Sequence, residues 1–117
     1  MNVFISYAVD DKSRISKVIG ELKSKEVVED DDQIVHAPDV FVPGSSPRGL
    51  VRKAMEAASK VVIVWSGTGA GSTWVNYETG MAEALGKPIF LAIPKGEKSR
   101  LPQELKDIQI IELENIS

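Results

Sequence analysis

Apolar residues fall along this chain in two alternating rhythms. Short unbroken runs, Val3-Phe4-Ile5, Val61-Val62-Ile63-Val64-Trp65 and Ile89-Phe90-Leu91-Ala92-Ile93, have the length and β-branched character of strands buried on both faces. Between them the apolar positions recur at helical spacing. Ile15, Val18, Ile19 and Leu22 form one such set, Leu50, Val51, Ala54, Met55 and Ala58 a second, and Trp74, Tyr77, Met81 and Leu85 a third. A weaker strand signal covers residues 34–41 and is interrupted by Pro38. A short helix over Leu101–Asp107, opened by Pro102, and a last strand over Ile108–Leu113 complete the pattern. About five strands alternating with helices predict an α/β fold: a doubly wound, flavodoxin-like parallel sheet with helices on both faces and right-handed crossovers.

Punctuation residues agree with these boundaries. Asp10 or Asp11 can cap the first helix, Lys23 and Lys25 close it, and Ser46-Pro47 opens the second with proline at its first position. After Trp65 the chain reads Ser66-Gly67-Thr68-Gly69-Ala70-Gly71, a loop, and Ser72 or Thr73 can cap the helix that follows. That helix is expected to reach Leu85, with Gly86 as its stop and Pro88 just beyond. No internal repeat or linker interrupts the pattern, so residues 1–117 read as a single domain.

One residue breaks the third helical stripe. Glu78 lies four residues after Trp74 and three before Met81, so its carboxylate points to the interior or to a crevice. A strand, a glycine loop and a helix N-terminus in succession also suit an anionic ligand, and ligands of parallel α/β sheets bind at this end of the strands. The alternative is that Glu78 is a half-exposed rim residue; the pattern alone leaves both open.

Composition narrows the chemistry. The 117 residues are 43% hydrophobic and 26% charged, with a net charge of −3, which argues against nucleic acid as an electrostatic partner. There is no cysteine, which excludes disulfides and thiolate metal sites, and the single histidine, His36, argues against a histidine metal cluster. No apolar run approaches membrane length and the charged N-terminus is no signal peptide, so a cytoplasmic domain without membrane contact is expected. The acidic run Glu29-Asp30-Asp31-Asp32 reads as a solvated loop, with weak divalent-cation binding as the alternative. Arg48, Arg52 and Lys53 read as the outward face of the second helix. There is no Walker loop, nucleophile elbow, Cys/His pair or dinucleotide fingerprint after the first strand. A lone carboxylate suits glycosidic-bond chemistry, in which it stabilises an oxocarbenium-like centre or holds a ribose hydroxyl. Glu78 is the carboxylate with that address, and Tyr7, Ser6 and Trp74 are candidates to line its pocket.

Val3-Phe4-Ile5-Ser6-Tyr7 followed by Asp10-Asp11 resembles the first box of Toll/interleukin receptor (TIR) domains. Pro43-Gly44 ahead of the helix Leu50–Ala58 is similar to their BB loop. Val61–Ser66 and then Ser72-x-Trp74-Val75-x-x-Glu78 resemble their strand C and the S-x-W-x-x-x-E helix after it. The resemblance implies that Glu78 is catalytic in cleaving the nicotinamide–ribose bond of NAD+, giving nicotinamide with ADP-ribose or a cyclic isomer, in immune or anti-phage signalling. It implies Phe4, Ser6, Tyr7, Ser66 and Trp74 as substrate-binding candidates, with NAD+ as substrate, no separate cofactor and no metal. Partners implied are other TIR domains, through a loop carrying Phe41, Pro43 and Gly44, and a fused or separate sensor or effector domain.

Two other expectations remain. Glu78-x-Gly80-x-Ala82-x-Ala84-Leu85-Gly86-Lys87-Pro88 resembles a segment of nucleoside deoxyribosyltransferases, whose glutamate is a nucleophile on deoxyribose. The same small residues also suit a helix packed closely on a sheet through Gly80, Ala82 and Ala84. Many TIR domains, finally, assemble with one another and catalyse nothing measurable.

Overall fold

The apolar runs become five strands in the computed structural model, which describes residues 1–6, 15–36, 47–64, 78–96 and 108–114. They are β1 (Asn2–Ser6), β2 (Gln33–His36), β3 (Lys60–Val64), β4 (Ile89–Pro94) and β5 (Gln109–Leu113). All pair in parallel in one sheet of order β2-β1-β3-β4-β5, the flavodoxin-like arrangement. β1 and β3 are buried from their second residue onward, because helices cover both of their faces. β5, at the edge, buries Ile111 and Leu113 on one face and exposes Glu112 on the other, with Gln109 exposed at its start.

Strand alternation divides the core in two. Phe4, Val61, Ile63, Leu91 and Ile93 point to one face and pack with Val51 and Met55 of helix α2 (Pro47–Ala57). On the same face lie Ala82, Met81 and Leu85, from the stretch where residues 78–84 are helical, called α3 below, and the turn after it. Val3, Ile5, Val62, Val64, Ala92, Ile111 and Leu113 point the other way, onto Ile15, Val18 and Leu22 of helix α1 (Ile15–Ser24). The chain steps from β1 outward to β2, returns to the far side of β1 for β3, and continues outward. The direction of winding therefore reverses between β1 and β3, and the carboxyl ends of these two strands border the crevice where such folds bind ligands.

Arg52 and Lys53 are exposed, as the spacing of α2 predicts. The small residues of α3 behave differently from expectation. Ala82 is fully buried, but Gly80 and Ala84 are exposed, and a Cβ built on Gly80 would have no heavy atom within 4 Å. The reason is periodicity: residues two apart on a helix differ by about 200°, so a Gly-x-Ala-x-Ala spacing cannot present all three to one sheet. In the acidic loop, Glu29, Asp31 and Asp32 hold carboxylate oxygens within 4.8 Å of one another. Asp32 is already engaged by the Glu29 N–H, at 2.9 Å, and by the Met1 amino group, at 3.6 Å.

Two helices end in the same way with different residues. After α3, Gly86 adopts φ 69°, the Lys87 N–H reaches the Ala82 carbonyl at 3.0 Å and the Gly86 N–H reaches Glu83 at 3.0 Å, a Schellman cap. After α1, Glu26 takes the left-handed position at φ 61°, with Val27 N–H on the Leu22 carbonyl at 2.9 Å and Glu26 N–H on Lys23 at 3.1 Å. A side chain at positive φ costs about 1 kcal/mol, partly offset because glycine loses more freedom on folding. Glu26→Gly is therefore expected to stabilise the domain by about 0.5–1 kcal/mol, read from urea unfolding midpoints at unchanged slope. A midpoint that falls would mean that the Glu26 side chain contributes more than its backbone costs.

Candidate active site

Ser6 is the last residue of β1, and alternation turns it to the same face as Phe4, toward α2 and α3. Its register partner is Ile63 on β3, so its hydroxyl stands at the carboxyl ends of the two strands where the winding reverses. Glu78 approaches from the inward stripe of α3, one turn before Ala82. The two side chains meet: the Ser6 hydroxyl donates a hydrogen bond to Glu78 Oε1, between residues 72 apart in sequence. Glu78 has 0% and Ser6 1% of its surface exposed.

This is an expensive place for a carboxyl group. Oε2 of Glu78 is buried with no hydrogen-bond partner among the described residues, and so is the hydroxyl of the neighbouring Thr79. A buried polar atom left unpaired costs about 1–3 kcal/mol, so each such group calls for an explanation. Burial pushes the Glu78 carboxyl from 4.5 up to about 8, while the Ser6 hydrogen bond, which favours the ionised form, pulls the other way. At neutral pH the acid is largely uncharged and poised to ionise when positive charge arrives beside it. Such a group can hold or release a proton and can stabilise a cationic centre.

The interior orientation expected from the Trp74/Met81 spacing is thus what α3 adopts, and Ser6 joins Glu78 as strand alternation predicts. Phe4 lies two residues back on the same face, fully buried beside Val51 and Met55, beneath the pair. Tyr7, Ser66 and Trp74, and the loop residues Phe41, Pro43 and Gly44, lie outside the described residues. Thr79 carries no periodic signal, because it falls off the Trp74/Tyr77/Met81/Leu85 stripe; its one signal in the sequence is adjacency to Glu78. Hollows of about 440 and 500 Å³ are lined by residues such as Lys25, Lys95 and Glu114, or Lys23, Glu29 and Asp30. They lie on other surfaces and are open and charged, unlike the enclosed apolar pockets of small-molecule sites. Among the described residues no helix is long and apolar enough to cross a membrane.

Comparison with solved structures finds the same fold in proteins of low sequence identity. The 2-deoxyribosyltransferase of the psychrotolerant bacterium Bacillus psychrosaccharolyticus superposes with a TM-score of 0.64 at 17% identity, covering 99% of this chain and 88% of that one. A metazoan TIR-STING receptor from C. gigas superposes with a TM-score of 0.65 at 23% identity, covering 92% of this chain. This chain corresponds to 36% of the receptor's length. No curated protein matches the sequence significantly. Residues 3–116 match the sequence profile of the TIR domain, and with the β1 and α3 segments meeting as described, the chain belongs to the TIR domain family.

Proposed function

We propose that this TIR domain is an NAD+ glycohydrolase or cyclase that breaks the bond between nicotinamide and ribose at Glu78. The observation that carries the proposal is the buried Glu78 carboxyl, hydrogen-bonded by Ser6 and with Oε2 unpartnered among the described residues, at the carboxyl ends of β1 and β3. In enzymatic TIR domains the glutamate of the S-x-W-x-x-x-E helix acts on the nicotinamide ribose, and Ser72, Trp74 and Glu78 match that motif. As the glycosidic bond lengthens, its electron pair passes to the pyridinium nitrogen and the ribose C1′ becomes cationic. A carboxylate in a water-poor site stabilises that charge more strongly than it would in water. Water then adds at C1′ and loses a proton, giving ADP-ribose, or an adenine nitrogen adds instead and gives a cyclic isomer. Substrate arrival also lowers the cost of ionising Glu78, because the nicotinamide ring carries the opposite charge.

The test is incubation of concentrated protein with NAD+, resolving nicotinamide, ADP-ribose and its cyclic isomers by chromatography. Absence of nicotinamide release at any protein concentration leaves the second reading, a TIR domain that only assembles. A parallel incubation with a deoxynucleoside and a free base tests a third, since the deoxyribosyltransferase fold covers nearly the whole chain.

Assembly bears on activity as well. The segment ahead of α2 carries Phe41, Val42 and Pro43 beside Gly44 and Ser46, an apolar stretch of sequence too rich in breakers to be core. In the family the corresponding loop reaches a neighbouring TIR domain and completes the NAD+ site across the contact. Specific activity is therefore expected to climb from nanomolar to micromolar protein, and the doubly substituted Phe41→Ala, Pro43→Ala domain should lose the climb. High, flat specific activity in both proteins would mean that the monomer holds a complete site. Immune or anti-phage signalling, by depletion of NAD+ or release of a cyclic product, is the setting such chemistry suits.

A further inference from the structure

We infer that Ser6 is the positioning residue for Glu78: its hydroxyl holds Oε1, so that Oε2 is the oxygen presented to the substrate, an inference that takes the substrate's identity from the function proposed above. The geometry separates this role from that of a substrate ligand. Ser6 is almost wholly buried, and its hydroxyl donates to Oε1 and not toward solvent. Both ends of the hydrogen bond are anchored. β1 is paired on each side, with Ile5 opposite His36 and Ser6 opposite Ile63, so the serine backbone is fixed by the centre of the sheet. The helix bearing Glu78 is fixed by fully buried Ala82 and by Met81 and Leu85 against the core.

A glutamate side chain has three rotatable bonds, so anchoring its backbone does not by itself orient the carboxyl. One donor from a rigid strand fixes the plane of the carboxyl and makes its two oxygens inequivalent. Oε1 is satisfied; Oε2 is buried without a partner among the described residues and is the atom left to act. Alanine at position 6 would remove the donor and leave both oxygens without a partner among the described residues. Threonine keeps the donor at the same point of the strand. Among the described residues, the titration of Glu78 is shaped by its burial, which raises it, and by the Ser6 hydroxyl, which lowers it.

The experiment pairs kinetics with a spectroscopic signature that needs no substrate. In Ser6→Ala, kcat for NAD+ should fall by about 10- to 100-fold, the usual size for misplacing a catalytic group by a fraction of an ångström to one ångström, with KM within about threefold. Ser6→Thr should restore most of the loss. The Glu78 carboxyl carbon, followed by ¹³C NMR, should titrate at higher pH in Ser6→Ala than in wild type and return toward it in Ser6→Thr, because the lost hydrogen bond favoured the ionised form. If Ser6→Ala does not fold, Ser6→Cys, a weaker donor of similar size, takes its place with the same directions. A Glu78 titration unchanged by the substitution overturns the inference, and so does a loss confined to KM, which would make Ser6 a substrate ligand. If wild type releases no nicotinamide, the glycohydrolase proposal fails, while the titration still decides whether Ser6 holds Glu78.

Discussion

Glu78→Ala is expected to lower NAD+ turnover by about 10²- to 10⁴-fold, the range for losing one positioned acid–base or electrostatic group. Glu78→Gln should lose nearly as much. It keeps the volume and an oxygen to accept the Ser6 hydrogen bond, but it cannot carry the negative charge that offsets a cationic C1′. Comparing the two variants separates charge from shape. If Gln retained activity near wild type, Glu78 would be a positioning group for the substrate and not the source of electrostatic stabilisation. Wild-type kcat/KM should also depend on pH in a set direction. The free enzyme holds Glu78 largely protonated below about 8, so kcat/KM should rise with pH and level off above that value. A profile flat from pH 6 to pH 9 would mean that the acting carboxylate is already ionised in the free enzyme.

Much of this site is legible in the sequence, for reasons tied to periodicity. Glu78 stands out because a helix of 3.6 residues per turn puts it in line with Trp74, Met81 and Leu85, and nothing local excuses a carboxylate there. Ser6 follows from the two-residue alternation of a strand whose Phe4 must be core. The parallel sheet, though not the order of its strands, required only that buried apolar runs alternate with helix-length segments. Other features carry no periodic signal. The left-handed conformation of Glu26 is imposed by the Schellman cap and not announced by glycine, whereas Gly86 reads as a stop because glycine is the usual residue there. The burial of Thr79 depends on how deeply α3 settles on the sheet, a tertiary quantity. The alternate spacing of Gly80, Ala82 and Ala84 suits a packing surface because the residues are small, but the 100° helical step sets Gly80 and Ala84 on one side and Ala82 on the other, and it is Ala82 that faces the sheet.

The second large effect concerns stability. Glu78→Gln is expected to be markedly more stable than wild type at pH 8 and above, with the advantage fading as pH falls toward 5. In the unfolded chain the carboxyl ionises in the ordinary range near 4.5, whereas in the folded domain burial holds its proton until about pH 8. Between those values the unfolded chain has released a proton that the folded chain retains, so unfolding becomes easier as pH rises. At about 1.4 kcal/mol per pH unit over that window, the wild type loses on the order of 3–5 kcal/mol by pH 8, less whatever the site recovers by admitting water. Glutamine never ionises, so its own curve should lack this slope. Urea unfolding of both proteins from pH 5 to pH 8.5 makes the measurement, and a constant difference across that range would show that Glu78 stays ionised when folded. The rise in activity and the fall in stability then have one cause. The carboxyl kept in an apolar site for its effect on a cationic centre destabilises the empty domain as pH rises, and a bound cationic ring should restore part of that loss. Unfolding in the presence of nicotinamide riboside is accordingly expected to narrow the gap between wild type and Glu78→Gln at pH 8 and to leave it unchanged at pH 5.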